Sequence, residues 1–395
     1  MLLILLWKRV LIIVTPIIIL GVLLALILVP LQPADDFQNV DVALNFDKDR
    51  AYVHVEAQVN FGDRHPGTQE SADCQQYFNE SFNIISEHIS YIPHDFEVNS
   101  VNCRNLLFKL NEDHQNIVII GAHYDSRAKA TKDDTDPDSP VPGANDGASG
   151  CGVIIELARV FYERKDKLDC QLWFLLFDAE DQGCEPACAI DDLWTFCEGS
   201  KKFVNDLSQF YDQNDEEFDS MILLDMVGGE NLEFIDEQIS TSSLLDELFQ
   251  VGRALGYTDE FPNIPDVNSI TDDHEAFVNE GIPSADLIIN FWNNPDWPYH
   301  HTTEDDMSHI SKESLEVTGK TVEQFIYNNY YTEKNQDYEG NYPWDNDTNL
   351  PIEDLLILII GLTAIIAAVI IAVKLIRKNA LQKAIKNSKD EMLME

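Results

Sequence analysis

Histidine and carboxylate side chains follow several apolar runs of this 395-residue sequence. In chain order, these candidates for chemistry are His123, Asp125, Asp146, Glu180, Asp181, Asp225, His300 and His301. Taken singly, each has an ordinary interpretation, such as a helix N-cap for Asp146 or a surface pair for the two adjacent histidines. Together they supply neutral nitrogen and anionic oxygen ligands, which suit zinc, and a bridging carboxylate allows two metal ions. The set therefore predicts a metal centre.

The sequence FDAEDQG, residues 177–183, contains three carboxylates directly after the apolar run CQLWFLL. Such a run is typical of a buried strand, and unpaired carboxylates at its end would repel one another and be costly to desolvate. Either solvent or a bound cation can remove that cost. Because the other candidates follow apolar runs of the same kind, we expect the carboxylates to face bound metal.

Predicted strands and helices alternate along the chain. The strands cover residues 105–110, 116–125, 170–178, 221–228 and 283–290, and the helices cover residues 68–90, 147–164, 199–211, 242–255, 272–281 and 312–331. This alternation is typical of an α/β fold with a largely parallel sheet. In open sheets of that kind, functional sites lie at the carboxyl ends of the strands, which is where the candidate residues are.

Six motifs carry a resemblance to a known family: GAHYDS, PGANDGASG, FDAEDQG, LLDMVG, DDHEAF…GIPSADLI and HTTED. In this order and spacing they resemble the zinc-dependent aminopeptidase family that also contains glutaminyl-peptide cyclotransferases. The stretch FGDRHPGTQES, residues 61–71, resembles the N-terminal signature of that family, and the resemblance covers residues 55–332. It implies a three-layer α/β/α sandwich around a mixed, largely parallel central sheet.

The resemblance also implies a role for each candidate. His123 and Asp225 match the ligands of one zinc ion, Asp181 and His301 match those of a second, and Asp146 matches the carboxylate that bridges both. Two zinc ions per chain are therefore expected.

Four positions complete the comparison with the family, two by their roles and two by their departures from the family pattern. Glu180 matches the general base, and Asp125 matches a residue that supports His123 or Asp146 from behind. Asp181 replaces the more common glutamate and is one methylene shorter, so the backbone must approach the metal more closely. His300 stands where tyrosine or tryptophan often precedes the ligand histidine, which changes a substrate contact.

Three functions are compatible with this set of residues. We expect an exopeptidase that removes N-terminal residues from peptides with a free N-terminus, with Glu180 moving the proton from water to the leaving amine. The alternative within the family is a glutaminyl cyclase, which uses one zinc ion to form N-terminal pyroglutamate. A receptor-like ectodomain without catalysis is disfavoured because all five ligand positions and the base are present.

Two long apolar segments predict membrane spans, at residues 10–29 and 355–373. A cleaved signal peptide is disfavoured for the first, because its apolar core is too long and no A-x-A site follows. Lysine and arginine residues precede the first span and follow the second. Because such residues are enriched on the cytoplasmic side of a membrane, both termini are expected in the cytoplasm. The expected order is flank and anchor 1–31, acidic stalk 32–54, catalytic domain 55–333, linker 334–354, helix 355–373 and cytoplasmic tail 374–395. The protein is thus expected at the cell membrane, anchored in the lipid bilayer, with its catalytic domain extracellular.

The composition excludes one class of partner and allows one class of cross-link. A formal net charge of −44 argues against nucleic acid as a partner. Seven cysteines lie in the segment expected outside the cell, where disulfides are permitted. Cys184, Cys188 and Cys197 are close in sequence and can pair, although spacing alone does not fix the connectivity.

Overall fold

The computed structural model describes residues 37–335, apart from residues 293 and 296, together with Tyr338. The predicted spans 10–29 and 355–373 and the flanks beyond them lie outside the described residues, as does most of the linker 334–354. Within the described part of the chain, no helix combines the length and the apolarity needed to cross a membrane.

A six-stranded sheet forms the centre of the domain. The strands of the described residues are β1 (Ser90–Val98), β2 (Val101–Leu110), β3 (Asn116–His123), β4 (Gln171–Phe177), β5 (Glu217–Asp225), β6 (Asp236–Glu237), β7 (Val267–Asn268) and β8 (Ser284–Ile288). The central sheet has the order β1-β2-β4-β3-β5-β8, and β6 pairs separately with β7. Strands β4, β3, β5 and β8 run parallel, whereas β2 is antiparallel to β1 and β4. The predicted mixed α/β fold with a mostly parallel sheet is confirmed.

Helices pack against both faces of this sheet. They are α1 (Lys48–Val59), α2 (Gln69–Ile85), α3 (Ala148–Glu163), α4 (Glu198–Asn205), α5 (Ser242–Ala254), α6 (Asp273–Asn279) and α7 (Lys312–Tyr330). In β3, Val118 belongs to a core cluster with residues of α1, α2, α3, α5 and α7. The next residue, Ile119, belongs to a second cluster with Phe203 of α4 and Phe277 of α6. Because side chains alternate along a strand, the two clusters lie on opposite faces of the sheet.

Residues 37–54, which we predicted to be part of an acidic stalk, belong to the folded domain. Val40 and Phe46 are buried in the larger core cluster, and α1 begins at Lys48. The Phe46 ring packs so closely on Gly319 of α7 that an added Cβ would approach it within 2.3 Å. The predicted boundary at residue 55 is therefore wrong, because this segment buries apolar side chains that an exposed stalk would leave in water.

Candidate active site and metal centre

The parallel strands bring most of the candidate residues to one edge of the sheet. His123 is the last residue of β3, Asp225 is the last residue of β5, and Glu180 follows β4 by three positions. The chain turns sharply after two of these strands, with left-handed backbone conformations at Ala179 (φ 59°) and Met226 (φ 48°). Such conformations are costly for residues with a side chain and are concentrated at functional sites.

His123 faces two carboxylates at once. Its Nε2 atom lies 3.1 Å from Asp146 Oδ1 and 3.1 Å from Asp225 Oδ1. All three residues are buried, and their potential ligand atoms lie within 4.8 Å of one another. This group, which we call subsite 1, unites the three residues assigned by resemblance to one zinc ion.

His301 faces a second pair of carboxylates. Its Nε2 atom lies 3.0 Å from Asp181 Oδ1 and 3.8 Å from Asp146 Oδ2. We call His301, Asp181 and Asp146 subsite 2. Asp146 thus directs one oxygen to each subsite, as a bridging carboxylate does.

The loop before α3 fixes the position of Asp146. Gly147 has φ 99°, and an added Cβ there would lie 2.8 Å from the carbonyl oxygen of Asp125 and 3.0 Å from the His123 ring, so glycine is required. The Asp305 carboxylate accepts hydrogen bonds from the backbone N–H of Asn145 (2.8 Å) and of Asp146 (3.1 Å). Asp305 lies in the HTTEDD stretch, and sequence reasoning assigned it no role.

Glu180 lies beside subsite 1. Its Oε2 atom is 4.0 Å from His123 Nδ1, and its Oε1 atom accepts a hydrogen bond from the buried Cys197 thiol at 3.3 Å. The Asp125 carboxylate accepts from the backbone N–H of Glu180 at 3.0 Å, while the Asp125 carbonyl oxygen lies 3.1 Å from His123 Nδ1. Asp125 therefore supports both the expected base and His123.

Asp178, the first carboxylate of FDAEDQG, is not part of the cluster. Its side chain accepts from the backbone N–H groups of Arg104 (2.9 Å) and Ala179 (2.9 Å). Burial raises the pKa of this carboxyl to about 7. Asp178 thus ties β4 to β2, and only Glu180 and Asp181 of the three turn toward the metal-binding groups.

Arg127 is a buried residue of the site that sequence reasoning missed. Its Nη1 atom donates to both the side chain (Oδ1) and the backbone carbonyl of Asp181, each at 2.9 Å. Its Nη2 atom donates to the carbonyl oxygens of Gly183 (2.9 Å) and Ala187 (3.1 Å), in a loop closed by a disulfide between Cys184 and Cys188. Cys197, the third cysteine of this region, is a free thiol.

A cavity of about 220 Å³ opens onto both subsites. Four of the five candidate ligands and Glu180 line it, and His123 does not; its walls also include Phe196, Met226, Ile270, Asp272 and His300. This volume is below the range that is usual for drug-sized ligands, so the cavity suits one amino-acid side chain. Asp272, a second residue without a predicted role, has a ligand atom within 4.8 Å of those of Glu180 and Cys197.

The sequence profile of peptidase family M28 matches residues 105–326, which is more than half of the chain. The chain belongs to peptidase family M28. Over 229 residues it is 30% identical to aminopeptidase YwaD of Bacillus subtilis (strain 168), in an alignment that covers 57% of this chain and 43% of that protein. The M28 chain thus spans less than half the length of that relative.

Two solved structures resemble the M28 chain over nearly their whole length. One is Bacteroides thetaiotaomicron glutaminyl cyclase bound to N-acetylhistamine, with 30% identity, a TM-score of 0.64 and coverage of 73% of this chain and 99% of that chain. The other is a Zn-dependent exopeptidase from Parabacteroides distasonis ATCC 8503, with 28% identity, a TM-score of 0.64 and coverage of 73% and 100%. The M28 chain is therefore an enzyme of the zinc-dependent aminopeptidase and glutaminyl cyclase type.

The charges of the two subsites fit the zinc that the M28 family implies. Burial, followed by the charge of Asp181, raises the pKa of Asp146 to about 7. Burial also raises the pKa of Asp181 to about 6, although Arg127 opposes this. Burial favours the neutral ring of His123, yet the carboxylates around it, Asp225 foremost, raise its pKa well above the ordinary value. A bound cation would relieve the repulsion that these shifts reflect.

An unpaired buried atom at subsite 2 fits the same conclusion. Asp181 Oδ2 has no hydrogen-bond partner among the described residues. Buried polar atoms are normally paired, and a carboxylate oxygen without a partner is available to a metal ion. The donor set of two imidazoles and three carboxylates is one that zinc accepts.

Proposed function

We propose that this chain is an aminopeptidase that hydrolyses the N-terminal peptide bond of peptides with a free N-terminus, using two zinc ions. The observation that carries the proposal is the position of Asp146, whose Oδ1 lies 3.1 Å from His123 Nε2 and whose Oδ2 lies 3.8 Å from His301 Nε2. The ligands would be His123, Asp225 and Asp146 for one ion and His301, Asp181 and Asp146 for the other. When bound, zinc supplies Lewis-acid chemistry by polarising a carbonyl oxygen and acidifying water.

Glu180 is the proton carrier of the proposed reaction. Burial raises the pKa of its carboxyl well above the ordinary value, with contributions from the charges of Asp181, Asp273 and Asp225. A carboxylate with a raised pKa accepts the proton of the attacking water and returns it to the leaving amine. The Asp125 carboxylate and the Cys197 thiol hold Glu180 beside subsite 1 while the proton moves.

The second candidate function is the cyclisation of N-terminal glutamine with release of ammonia. It is supported by the similarity to a glutaminyl cyclase structure over 99% of that chain. The small cavity, which suits one side chain, supports it equally. In this reaction the α-amine attacks the γ-carboxamide, and Glu180 would carry the proton from the amine to the departing ammonia.

One experiment separates the two reactions. The full zinc-loaded chain is incubated with a peptide that begins with leucine and with one that begins with glutamine, and the products are identified by mass. Hydrolysis releases free leucine, and zinc analysis of the same sample should give about two ions per chain. Loss of ammonia from the glutamine peptide without release of leucine, together with one zinc ion per chain, contradicts the aminopeptidase and supports the cyclase.

We further propose that the catalytic domain is extracellular and that both termini are cytoplasmic. The apolar segments 10–29 and 355–373 with their flanking cations support this orientation. The Cys184–Cys188 disulfide also favours an oxidising compartment. Protease added to intact cells should degrade the domain and spare an epitope placed after residue 395. Loss of that epitope from sealed cells contradicts the orientation.

A further inference from the structure

Lys132 and His300 form an ordered pair beside subsite 2. Lys132 Nζ donates to His300 Nδ1 at 2.9 Å, and the His300 side chain is 9% exposed. The ammonium group is also held by the Glu185 carboxylate at 3.1 Å and lies 5.7 Å from the centre of the Phe291 ring. The His300 ring packs on the same Phe291 ring, with 4.1 Å between centroids. These contacts fix the orientation of both side chains.

The contact with Lys132 decides which nitrogen of His300 carries the proton. An ammonium group only donates hydrogen bonds, so Nδ1 must accept with its lone pair. A neutral imidazole has a single N–H, which is then on Nε2. This Nε2 lies 3.9 Å from Asp146 Oδ2, and His300 is one of the residues that line the cavity. His300 therefore presents a hydrogen-bond donor to the metal centre.

The same contact separates the roles of the two adjacent histidines. The ligand atoms of Asp146, His300 and His301 lie within 4.8 Å of one another, so distance alone does not show which histidine binds metal. His301 Nε2 lies 3.0 Å from Asp181 Oδ1, so this nitrogen faces a proposed metal ligand. A nitrogen that carries a proton is not a ligand, so His301 binds the metal and His300 does not.

We propose that the Nε2–H of His300 donates a hydrogen bond to the carbonyl oxygen under attack and stabilises the negative charge that develops there. Lys132 is the positioning residue that holds His300 in the required tautomer. This inference rests on the proposed function: the oxygen belongs to the N-terminal peptide bond in hydrolysis and to the γ-carboxamide in cyclisation. The cavity walls are rich in carboxylates, which accept hydrogen bonds rather than donate them when ionised. A donor held in a fixed position among them is suited to stabilise a developing negative charge.

Paired variants test this role in the full zinc-loaded chain. H300F keeps an aromatic ring and removes the donor, and its kcat should fall by about 10²–10³, the loss found when one oxyanion donor is removed. K132M removes the hydrogen bond that keeps the proton on His300 Nε2 and should lower kcat by about tenfold or more. K132R, whose side chain also only donates hydrogen bonds, should retain most of the wild-type kcat. The matched controls are H309F, outside the cavity next to Glu230, and K129M, whose ammonium pairs with the exposed Asp138. Both controls should keep wild-type kcat.

Zinc content distinguishes a donor from a ligand. H300F should bind as much zinc as the wild type and show a loss mainly in kcat, with KM changed little. An H300F protein that loses zinc would make His300 a ligand and overturn the inference. An H300F protein with the kcat of H309F would overturn it as well.

The tautomer is measurable without turnover. In a long-range ¹H–¹⁵N spectrum of histidine-labelled protein, the His300 signals, identified by their loss in H300F, should have the Nε2–H pattern in the wild type and in K132R. In K132M these signals should shift toward a mixture of the two tautomers. An Nδ1–H pattern for His300 in the wild-type protein contradicts this inference and leaves the proposed function standing. A wild-type protein that converts neither the leucine nor the glutamine peptide contradicts the proposed function.

Discussion

Arg127 donates to Asp181 Oδ1 at 2.9 Å, and both side chains are almost completely excluded from solvent. Asp181, a proposed zinc ligand, is one methylene shorter than the glutamate that is more common at this position in the family, so its reach depends on where its backbone is held. Arg127 holds that backbone as well, through the carbonyl oxygen of Asp181, and is itself fixed by the carbonyl oxygens of the disulfide loop. Subsite 2 is therefore positioned by a guanidinium group that acts through Asp181 and the disulfide loop.

Replacing Arg127 should weaken zinc binding at subsite 2. Lysine has one ammonium group and cannot reproduce the forked contacts to Asp181 and the loop, so R127K should lower zinc affinity there by about 10–100-fold. Zinc titration against a competing chelator measures both ions separately. The control is R104K, because the Arg104 guanidinium pairs with the exposed Asp95 and contacts neither Asp181 nor the disulfide loop through any hydrogen bond of the described residues. Two ions bound with wild-type affinity in R127K would show that the contact does not position the ligand.

Glu180→Gln should abolish turnover and leave the metal in place. Glutamine has nearly the same shape but takes up no proton, so kcat should fall by about 10²–10⁴. Asp146→Ala removes the carboxylate shared by both subsites and should instead lose zinc. Steady-state kinetics and zinc analysis on the same samples give the two readouts. If Glu180→Gln retains more than about a tenth of the activity, the general-base role is wrong.

His54 should make the domain less stable in mild acid. Burial, aided by the charge of Arg50, lowers the pKa of this α1 histidine to about 4. Above pH 6.5, the ordinary pKa of histidine in an unfolded chain, the ring is neutral in both the folded and the unfolded state. Between pH 6.5 and 4 only the unfolded chain takes up a proton. The free energy of unfolding therefore falls as the pH falls. Between pH 7 and 5, the advantage of the wild type over H54Q should shrink by about 2 kcal/mol.

Urea unfolding at fixed zinc concentration measures this difference. H88Q is the matched control, since it makes the same substitution at a histidine whose side chain is exposed. A wild-type curve parallel to that of H54Q across this interval would contradict the role of His54.

Phe46→Ala should strongly destabilise the domain, although Phe46 precedes the domain boundary that we predicted from the sequence. The ring is 5% exposed and packs on Gly319, so its loss leaves a cavity and should cost about 3–5 kcal/mol. V53A is the control, because Val53 of α1 is 57% exposed and its truncation should cost less than about 0.5 kcal/mol. Equal unfolding midpoints for the two variants would mean that residues 37–54 do not contribute to the core.

The sequence predicted the strand ends well and the supporting contacts poorly. His123, Glu180 and Asp225 could be proposed as site residues because a buried apolar run followed by a polar side chain is a local signal. Arg127 and Asp305 have no such signal: each acts through partners 54 to 160 positions away, which only the fold brings together. Sequence reasoning could have noticed both, since they lie inside the motifs AHYDSR and HTTEDD.

Helix α1 and strand β1 were missed for different reasons. Helix α1 has only three buried residues in twelve, so its polar composition resembles that of an exposed linker. Strand β1 lies at the edge of the sheet, where Pro93 is tolerated, and its apolar pattern is interrupted there. Both elements acquire their conformation from tertiary packing, which outweighs local propensity.

The packing of residues 37–46 also determines where the chain enters and leaves the domain. The Phe37 and Tyr338 rings meet edge to face with 5.6 Å between centroids, and the backbone N–H of Val40 donates to Asn328 Oδ1 at 3.0 Å. Residues some 300 positions apart are thus neighbours, and a linker of a few residues could join them. The domain should therefore accept circular permutation, with new ends opened in an exposed loop such as residues 212–216. The order of its helices and strands along the chain is therefore one of several cyclic permutations compatible with the same fold.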